Sequence, residues 1–248
     1  MMTYVWIFLL MVLSYFLGSI PSGLIIGKVF KGIDIRQFGS KNTGATNAVR
    51  VLGFRYGVFA FIFDSFKGAA VILLVFIIGN PDLYLISDYQ INIASIYGAA
   101  GVLGHVFPIY INFKGGKAVA TSAGMIFAIE PWVAVGVIVL FFIIFAITRY
   151  VSLSSTTAAS AALLYFVVRV FFEHPLFNLA TRIMDLVIVT LLAILIFVRH
   201  KANYRRLREG TEYRFDPKPK PRKNKVWQVS NFFLLCIFFY HAKLNHPG

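Results

Sequence analysis

The sequence is poor in charge and nearly free of cysteine, and both shortages restrict what the protein can be. Charged residues make up 14% of its 248 residues, whereas a water-soluble domain carries about 25%. So few charges cannot cover a soluble surface, which excludes a soluble enzyme and a nucleic-acid-binding domain. The single Cys236 excludes an intrachain disulfide and a cysteine-based metal cluster. The five histidines form no H-E-x-x-H pattern, so we expect no metal and no cofactor.

What the sequence has instead is apolar residues, at 58% of the chain. A membrane-spanning helix needs about 20 mainly apolar residues, and the chain offers six segments close to this length and one shorter segment. We therefore predict an all-α, polytopic integral membrane protein with seven transmembrane helices. The predicted spans are 4–26, 54–79, 91–111, 118–129, 132–148, 153–172 and 183–198. The fourth is too short to cross upright, which favours a half-helix or a re-entrant element.

The distribution of Lys and Arg predicts the orientation of these spans. Basic connections alternate along the chain with connections that are poor in bases, and membrane proteins keep Lys and Arg on the cytoplasmic side. The basic connections are 27–55, 112–117, 149–152 and 199–225. Seven spans with the N-terminus outside and the C-terminus in the cytoplasm satisfy the rule throughout.

The net charge of +14 is partly explained by this rule, but it also suits anionic lipids or phosphorylated substrates. We expect two regions, a membrane domain at 1–216 and a basic, proline-containing cytoplasmic tail at 217–248. The tail ends in a short apolar stretch at 226–240. The sequence leaves open whether this stretch inserts in the membrane.

The first basic connection contains a cluster of small hydrogen-bond donors. Glycines let backbone N–H groups approach an anion closely, and hydroxyl groups add donors. The candidates are Ser40, Asn42, Gly44 and Thr46, followed by Arg50. The P-loop pattern is absent, and an ordinary polar turn is the alternative interpretation.

The second basic connection places Gly115 and Gly116 just before Lys117 and the next helix. A helix N-terminus with a nearby ammonium group suits a phosphate, although a flexible cytoplasmic loop explains the same residues. Further along, Ser152 is either a helix cap or a ligand, and His200 and Asn203 share a face if they are helical.

Ionisable residues also lie inside the predicted spans, where they are costly. Asp64 and Lys67 are one helical turn apart in the second span. A structural ion pair and a substrate role are both open for them, and the same choice applies to Arg169 and Asp185. The other polar clusters all fall on the cytoplasmic side, which indicates a site for an anionic head group beside an apolar slot for an acyl chain.

Five segments in this order resemble the bacterial acyl-phosphate-dependent glycerol-3-phosphate acyltransferase family. The resemblance covers about residues 4–216. Its segments are G-S-I-P-S-G from Gly18, G-S-K-N-T-G-A-T-N from Gly39, D-S-F-K-G from Asp64, G-H-V-F-P with F-K-G-G-K from Gly104, and R-H-K-A-N with E-G-T-E from Arg199. This chain has Lys41 and Ala118 where the family often has glycine.

The resemblance implies a seven-helix enzyme of the bacterial cytoplasmic membrane, embedded in the lipid bilayer. Such enzymes transfer a fatty acyl group from acyl phosphate to the sn-1 hydroxyl of glycerol 3-phosphate, which gives lysophosphatidic acid and phosphate. A soluble enzyme that makes acyl phosphate is an implied partner. A transporter for a phosphorylated anion is the alternative class, and the H-x-x-x-x-D motif of acyl-CoA-dependent enzymes is absent after His105 and His200.

The resemblance also implies roles for individual residues. Ser40, Asn42, Gly44 and Thr46 resemble the pocket for the acyl-phosphate head. The residues that resemble the glycerol-3-phosphate and catalytic site are Arg50, Lys117, Ser152, His200 and Asn203, with Gly115 and Gly116 in the same loop as Lys117. Glu212 resembles a structural glutamate that braces the last segment, and we group Asp64 and Lys67 with it. Acyl phosphate is already activated, so direct transfer without an acyl-enzyme is expected, with His200 either a base or a phosphate ligand.

Overall fold

The computed structural model describes residues 2–86, 91–172 and 179–215. The regular secondary structure of these residues is helical apart from an antiparallel pair of two-residue strands, β1 (Leu85–Ile86) and β2 (Ile91–Asn92). The helices are α1 Met2–Ser19, α2 Ser22–Lys31, α3 Ala45–Leu52, α4 Phe54–Ile78, α5 Ala94–Val106, α6 Val119–Ile129, α7 Pro131–Thr148, α8 Val151–Phe172, α9 Leu179–Arg199 and α10 Lys201–Arg208. The predicted tail at 217–248 lies outside the described residues.

Six segments of the described chain are long and apolar enough to cross a membrane, and α6 is a shorter apolar helix of 11 residues. The six are Met2–Ser19, Phe54–Ile78, Ala94–Ile111, Pro131–Thr148, Val151–Phe172 and Leu179–Arg199. Their outer surfaces carry large apolar side chains such as Ile77 and Ile147, which are 82% and 72% exposed. Such a surface suits lipid and not water. The all-α prediction is confirmed apart from the small hairpin.

The first predicted span differs from the structure. The sequence suggests one helix over 4–26, but α1 ends at Ser19 and α2 begins at Ser22. Pro21 lacks a backbone N–H and disfavours helical geometry at Ile20, so the chain breaks there. The result is a separate ten-residue helix with Val29 and Phe30 exposed beside Lys28 and Lys31.

Helices approach closely where glycine faces a neighbouring backbone. Gly18 of α1 lies against the carbonyl of Gly101 in α5, and Gly68 of α4 lies against the carbonyl of Thr121 in α6. A Cβ at either glycine would overlap the oxygen, so only glycine allows this spacing. These contacts allow α1 to pack closely on α5 and α6 to pack closely on α4. The core between the helices includes the fully buried Tyr97.

A cluster of charged side chains joins α8 to α9 and to the α6–α7 junction at one end of the bundle. Arg169 Nη1 of α8 lies 2.9 Å from Glu130 Oε1, at the α6–α7 junction, and 3.2 Å from Asp185 Oδ2 of α9. Arg169 is 17 positions after Ser152 in α8, which is about 25 Å along the helix axis. The Arg169 and Asp185 pair therefore ties helices together at the end remote from Ser152.

Candidate active site

Four segments meet around the carboxylate of Glu212. Ser152 Oγ at the start of α8 donates to Glu212 Oε1 at 3.0 Å, and Asn203 Nδ2 of α10 donates to the same oxygen at 2.6 Å. Arg206 Nε donates to the other oxygen, Oε2, at 2.7 Å. Lys117 Nζ donates to Asn203 Oδ1. The structure thus brings the predicted residues Lys117, Ser152, Asn203 and Glu212 into one hydrogen-bonded network.

The turn after α10 folds Glu212 back against its own helix. Gly210 has a φ of 68°, a left-handed conformation that glycine adopts easily. The N–H groups of Thr211 and Glu212 then donate to the carbonyl of Arg206, at 2.8 and 3.2 Å. Burial alone would raise the pKa of Glu212, but hydrogen bonds from Asn203 and Arg206 outweigh it and hold the pKa below its usual value. Glu212 is therefore a buried carboxylate that stays ionised.

Arg50 reaches the same region from α3. Its guanidinium lies 4.8 Å from the ring centre of Tyr213, and that of Arg206 lies 5.8 Å from the same ring. The Tyr213 hydroxyl donates to the carbonyl of Gly39 at 3.1 Å. Tyr213 thus connects the donor-rich first loop to the cluster around Glu212, and burial lowers the pKa of Arg50.

Lys117 is partly buried among other cations. Burial lowers its pKa to about 8, and the nearby Arg206, Arg50 and Arg199 lower it further against the opposing effect of Glu212. Below pH 8 its ammonium group is mostly charged. Several cations held close together around a single carboxylate leave a surplus of positive charge, which an anionic ligand would neutralise.

His200 is buried beside this charge, with 2% of its surface exposed. Its Nδ1 lies 2.8 Å from the carbonyl oxygen of Ile196. A carbonyl only accepts hydrogen bonds, so we assign the proton to Nδ1 and leave Nε2 as an acceptor. Burial, and then the charge of Lys117, lower the pKa of His200 to about 4. The imidazole is therefore neutral at pH 7.

The first loop is organised by Asn47, which is 1% exposed. Its Nδ2 donates to the carbonyls of Ile35 and Asn42 at 2.8 and 2.9 Å, and its Oδ1 accepts the N–H of Ser40 at 2.8 Å. Asn42 Oδ1 in turn accepts the N–H of Gly44 at 2.9 Å. Thr46 is half-buried in the first turn of α3. The loop is thus a fixed structure, and Ser40 adjoins the Gly39 carbonyl that binds Tyr213.

Gly115 and Gly116 shape the turn that presents Lys117. Their N–H groups donate to the carbonyls of Val106 and His105, at 3.2 and 3.0 Å. Their own carbonyls accept Arg199 Nη2 and Nε, at 2.9 and 3.1 Å. Both N–H groups are therefore engaged within the protein, and a direct substrate contact by the two glycines stays a prediction.

Asp64 and Lys67 lie apart from this network. Lys67 Nζ is 2.8 Å from Asp64 Oδ1 and donates at 2.8 Å to the carbonyl of Ile20, in the break between α1 and α2. Both side chains are at most 8% exposed. The pair therefore links α4 to the end of α1.

Comparison with known proteins shows the family of this chain. The family model for glycerol-3-phosphate acyltransferase matches residues 8–210. The chain belongs to the glycerol-3-phosphate acyltransferase family. The glycerol-3-phosphate acyltransferase of Acholeplasma laidlawii is 44% identical over 226 residues, which cover 88% of this chain and 96% of that protein. The enzyme of the same name from Bacillus subtilis is 42% identical over 204 residues, covering 82% and 95%.

Two solved structures in the family share the fold. They are crystal structures of PlsY, an integral membrane glycerol 3-phosphate acyltransferase, in its glycerol 3-phosphate form and its lysophosphatidic acid form. The first is 38% identical with a TM-score of 0.71, and covers 85% of this chain and 96% of the other. The second is 37% identical with a TM-score of 0.69, covering 85% and 95%. This acyltransferase-family chain is a multi-pass helical membrane protein.

Sequence reasoning missed three members of the site in this acyltransferase-family protein. Arg206 is one of several bases in a cytoplasmic run, and nothing in the run separates it from Arg205 or Arg208. Tyr213 is a single aromatic residue without periodicity. Asn47 ends the G-S-K-N-T-G-A-T-N segment, but the sequence does not indicate which groups its amide binds. Only the fold brings these residues to Glu212 and to the first loop.

Proposed function

We propose that this protein transfers a fatty acyl group from acyl phosphate to the sn-1 hydroxyl of glycerol 3-phosphate, giving lysophosphatidic acid and phosphate. The observation that carries the proposal is the cationic cluster of Lys117, Arg50 and Arg206, fixed around the buried Glu212. The names of the relatives, and the two ligand forms of the PlsY structures, support glycerol 3-phosphate as the acceptor and lysophosphatidic acid as the product.

In this proposal, Arg50 and Lys117 neutralise the phosphate of glycerol 3-phosphate. Charge-assisted hydrogen bonds are about twice as strong as neutral ones, and burial of both cations strengthens them further. Ser152 and Asn203 are held by Glu212 at the same place, so their polar groups bind the glycerol part without first having to be ordered. The dianionic phosphate supplies the negative charge that the cluster lacks.

The acyl-phosphate head takes the neighbouring loop. Ser40, Asn42, Gly44 and Thr46 lie on a segment that Asn47 keeps rigid and that Tyr213 joins to the cationic cluster. A small apolar cavity of about 20 Å³ lies between α6, α8 and α9 and is lined by Ile196, whose carbonyl holds the His200 ring, and by Ala162 and Leu192. An acyl chain exceeds this volume, so in this proposal it separates these helices or lies against the apolar outer surface while the head remains in the loop.

The reaction then needs no acyl-enzyme. The sn-1 oxygen attacks the carbonyl carbon of acyl phosphate and forms the ester bond, while the anhydride C–O bond breaks and its electrons leave with phosphate. His200 Nε2 accepts a hydrogen bond from the attacking hydroxyl and orients it. A group with a pKa of about 4 is a weak base, whereas the departing phosphate gains a negative charge as the C–O bond breaks and becomes the stronger base. The departing phosphate therefore takes the hydroxyl proton.

The donor is the first property to test. The hydrogen-bond donors of the first loop and the cations suit a departing phosphate, and the chain lacks the H-x-x-x-x-D motif of acyl-CoA-dependent enzymes after His105 and His200. We therefore expect purified protein in lipid to form lysophosphatidic acid from acyl phosphate and glycerol 3-phosphate, at a rate at least about a hundredfold above that with acyl-CoA. Mass spectrometry of the product, with acyl-CoA and acyl-carrier protein as parallel donors, measures this. Equal rates from acyl-CoA and acyl phosphate would contradict the donor assignment.

The orientation belongs to the same proposal. Seven crossings, with α6 counted, place the start of α1 outside and the active-site cluster in the cytoplasm of a bacterium, within its cytoplasmic membrane. A soluble enzyme that produces acyl phosphate would then supply the donor from the cytoplasmic side. The alternation of Lys- and Arg-rich connections supports this arrangement.

Cysteine labelling tests the orientation. With Cys236 replaced by Ser, Asp82→Cys is expected to react with an impermeant thiol reagent on intact cells. Lys114→Cys, beside the active-site cluster, is expected to react only after the membrane is opened. Both positions are exposed on the protein surface. Reaction of both from the same side would refute the seven-crossing arrangement.

A further inference from the structure

Three buried ionisable groups that the proposed reaction does not use, Asp64, Lys67 and His105, lie together between α4 and α5. Asp64 Oδ1 lies 2.8 Å from Lys67 Nζ and 3.6 Å from His105 Nδ1, and the three side chains are 2%, 8% and 7% exposed. A carboxylate buried this deeply is retained only when charges and dipoles compensate it. Here the carboxylate stands between a lysine of its own helix, α4, and a histidine near the end of α5.

The histidine in turn supports the loop that carries Lys117. Gly116 N–H donates to the His105 carbonyl at 3.0 Å, and the Gly116 Cα packs on the His105 imidazole so closely that a Cβ would overlap Nε2. Lys117 is the next residue, and its ammonium group bonds Asn203. A continuous set of contacts therefore runs from Asp64 through the His105 ring and Gly116 to Lys117.

We propose that Asp64 and His105 are positioning residues for Lys117. The buried carboxylate fixes the position and orientation of the His105 ring, and the Gly115–Lys117 turn packs on that ring. This inference rests on the proposed function, because it needs Lys117 to bind the phosphate of glycerol 3-phosphate. Lys67 balances the charge of Asp64 and attaches the pair to the Ile20 carbonyl.

The space beside the three side chains supports a positioning role over a second ligand site. It is bounded by Ser19, Ser22, Thr43 and Pro108, and it measures about 10 Å³, which is the room of one water molecule. Neither a phosphate nor an acyl-phosphate head fits there. The side chains of Asp64 and His105 therefore reach substrate only through the loop.

The test is a double-mutant cycle with steady-state kinetics for both substrates. Asp64→Asn keeps the shape of the side chain and removes its charge. We expect it to raise the KM for glycerol 3-phosphate about fivefold to tenfold, since a displaced contact through packed neighbours changes binding by such factors. The KM for acyl phosphate is expected to stay near the wild-type value. In a Lys117→Ala background, Asp64→Asn is expected to change the KM for glycerol 3-phosphate less than twofold.

Two further variants make the result decisive. His105→Phe keeps a ring beside Gly116 but removes Nδ1, and it is expected to raise the KM for glycerol 3-phosphate as well. It replaces Asp64→Asn as the test if that variant does not fold. Asp185→Asn, which removes a similarly buried carboxylate at the far end of the bundle, is expected to lower the Tm and leave both KM values unchanged. Folding of each variant is followed by thermal unfolding in detergent.

The opposing outcomes are distinct. A wild-type KM in folded Asp64→Asn, independent effects of Asp64→Asn and Lys117→Ala in the cycle, or loss of folding in both Asp64→Asn and His105→Phe would overturn the positioning role. If Lys117→Ala itself saturates like the wild type, or the wild type forms no lysophosphatidic acid, the proposed function fails instead. The wild-type and Lys117→Ala measurements therefore separate the two failures.

Discussion

Replacement of Lys117 by Ala is expected to raise the KM for glycerol 3-phosphate about tenfold or more. A charge-assisted hydrogen bond contributes about 1.5–3 kcal/mol, and about 1.4 kcal/mol corresponds to a tenfold change in affinity. Because the acyl-phosphate head is assigned to the loop of Ser40 and Thr46, the KM for that substrate is expected to remain nearly unchanged. Initial rates with each substrate varied at saturation of the other measure both constants.

The same loop provides a matched control. Lys114 is exposed and carries the same charge three residues before Lys117, so Lys114→Ala removes a cation without touching Asn203. We expect wild-type kinetics from it. Lys117→Arg keeps the charge but not the compact ammonium group, and an intermediate KM is expected. Unchanged saturation by glycerol 3-phosphate in folded Lys117→Ala would remove this lysine from the site.

The pH dependence gives a second readout on Lys117. Its pKa is lowered to about 8, so the group is charged below that pH and becomes neutral above it. The KM for glycerol 3-phosphate is therefore expected to rise from pH 8 upward in the wild type and to stay flat in Lys117→Arg, since arginine remains protonated over this range.

The membrane segments were the most predictable part of the fold, because length and apolar composition alone define a spanning helix. The predicted boundaries of the second, fifth and sixth spans agree with α4, α7 and α8 to within two residues. The apolar run around Ile20 and Pro21 predicts a single first helix, but the missing N–H of Pro21 ends α1 at Ser19. The short helices α2, α3 and α10 are harder to predict as separate elements, since eight to ten residues give little periodicity.

The site could be predicted only as separate polar segments. The resemblance supplied roles for Lys117, Ser152, Asn203 and Glu212, and the structure brings these four together, although their roles stay predictions. Lys41 and Ala118, which stand where the family often has glycine, have φ values of 58° and 70°. Left-handed backbone explains why glycine suits both positions, and no pattern in a single sequence indicates it.

The second large effect is expected at Glu212, where replacement by Gln should lower kcat/KM about a hundredfold. The carboxylate accepts from Ser152 and Asn203 at one oxygen and from Arg206 at the other. An amide has one acceptor oxygen and one donor nitrogen, so in either orientation a donor faces a donor. Asn203 or Arg206 then loses its partner, and leaving a polar group without its hydrogen bond in such a site costs about 1–3 kcal/mol, with more for a charged group.

This variant is expected to differ from Lys117→Ala in its kinetic pattern. Glu212 fixes Asn203, which holds Lys117, and also Arg206, which packs on Tyr213 beside the first loop. Both substrate sites should therefore be disturbed, with kcat lowered as well as the KM for glycerol 3-phosphate raised. A lower Tm in detergent is expected at the same time, because the network is also structural.

Glu209 offers the matched control in the same turn. Its carboxylate is 55% exposed and lies 4.0 Å from the Nε of the exposed Arg205. Such surface ion pairs contribute little to stability. Glu209→Gln removes the same charge and is expected to leave kcat, both KM values and the Tm close to wild type. Glu212→Asp, which keeps the charge but shortens the reach, should fall between Glu212→Gln and the wild type. If folded Glu212→Gln turned over like Glu209→Gln, the hydrogen-bonded network would not support catalysis, and Lys117 and Arg50 would have to bind glycerol 3-phosphate without it.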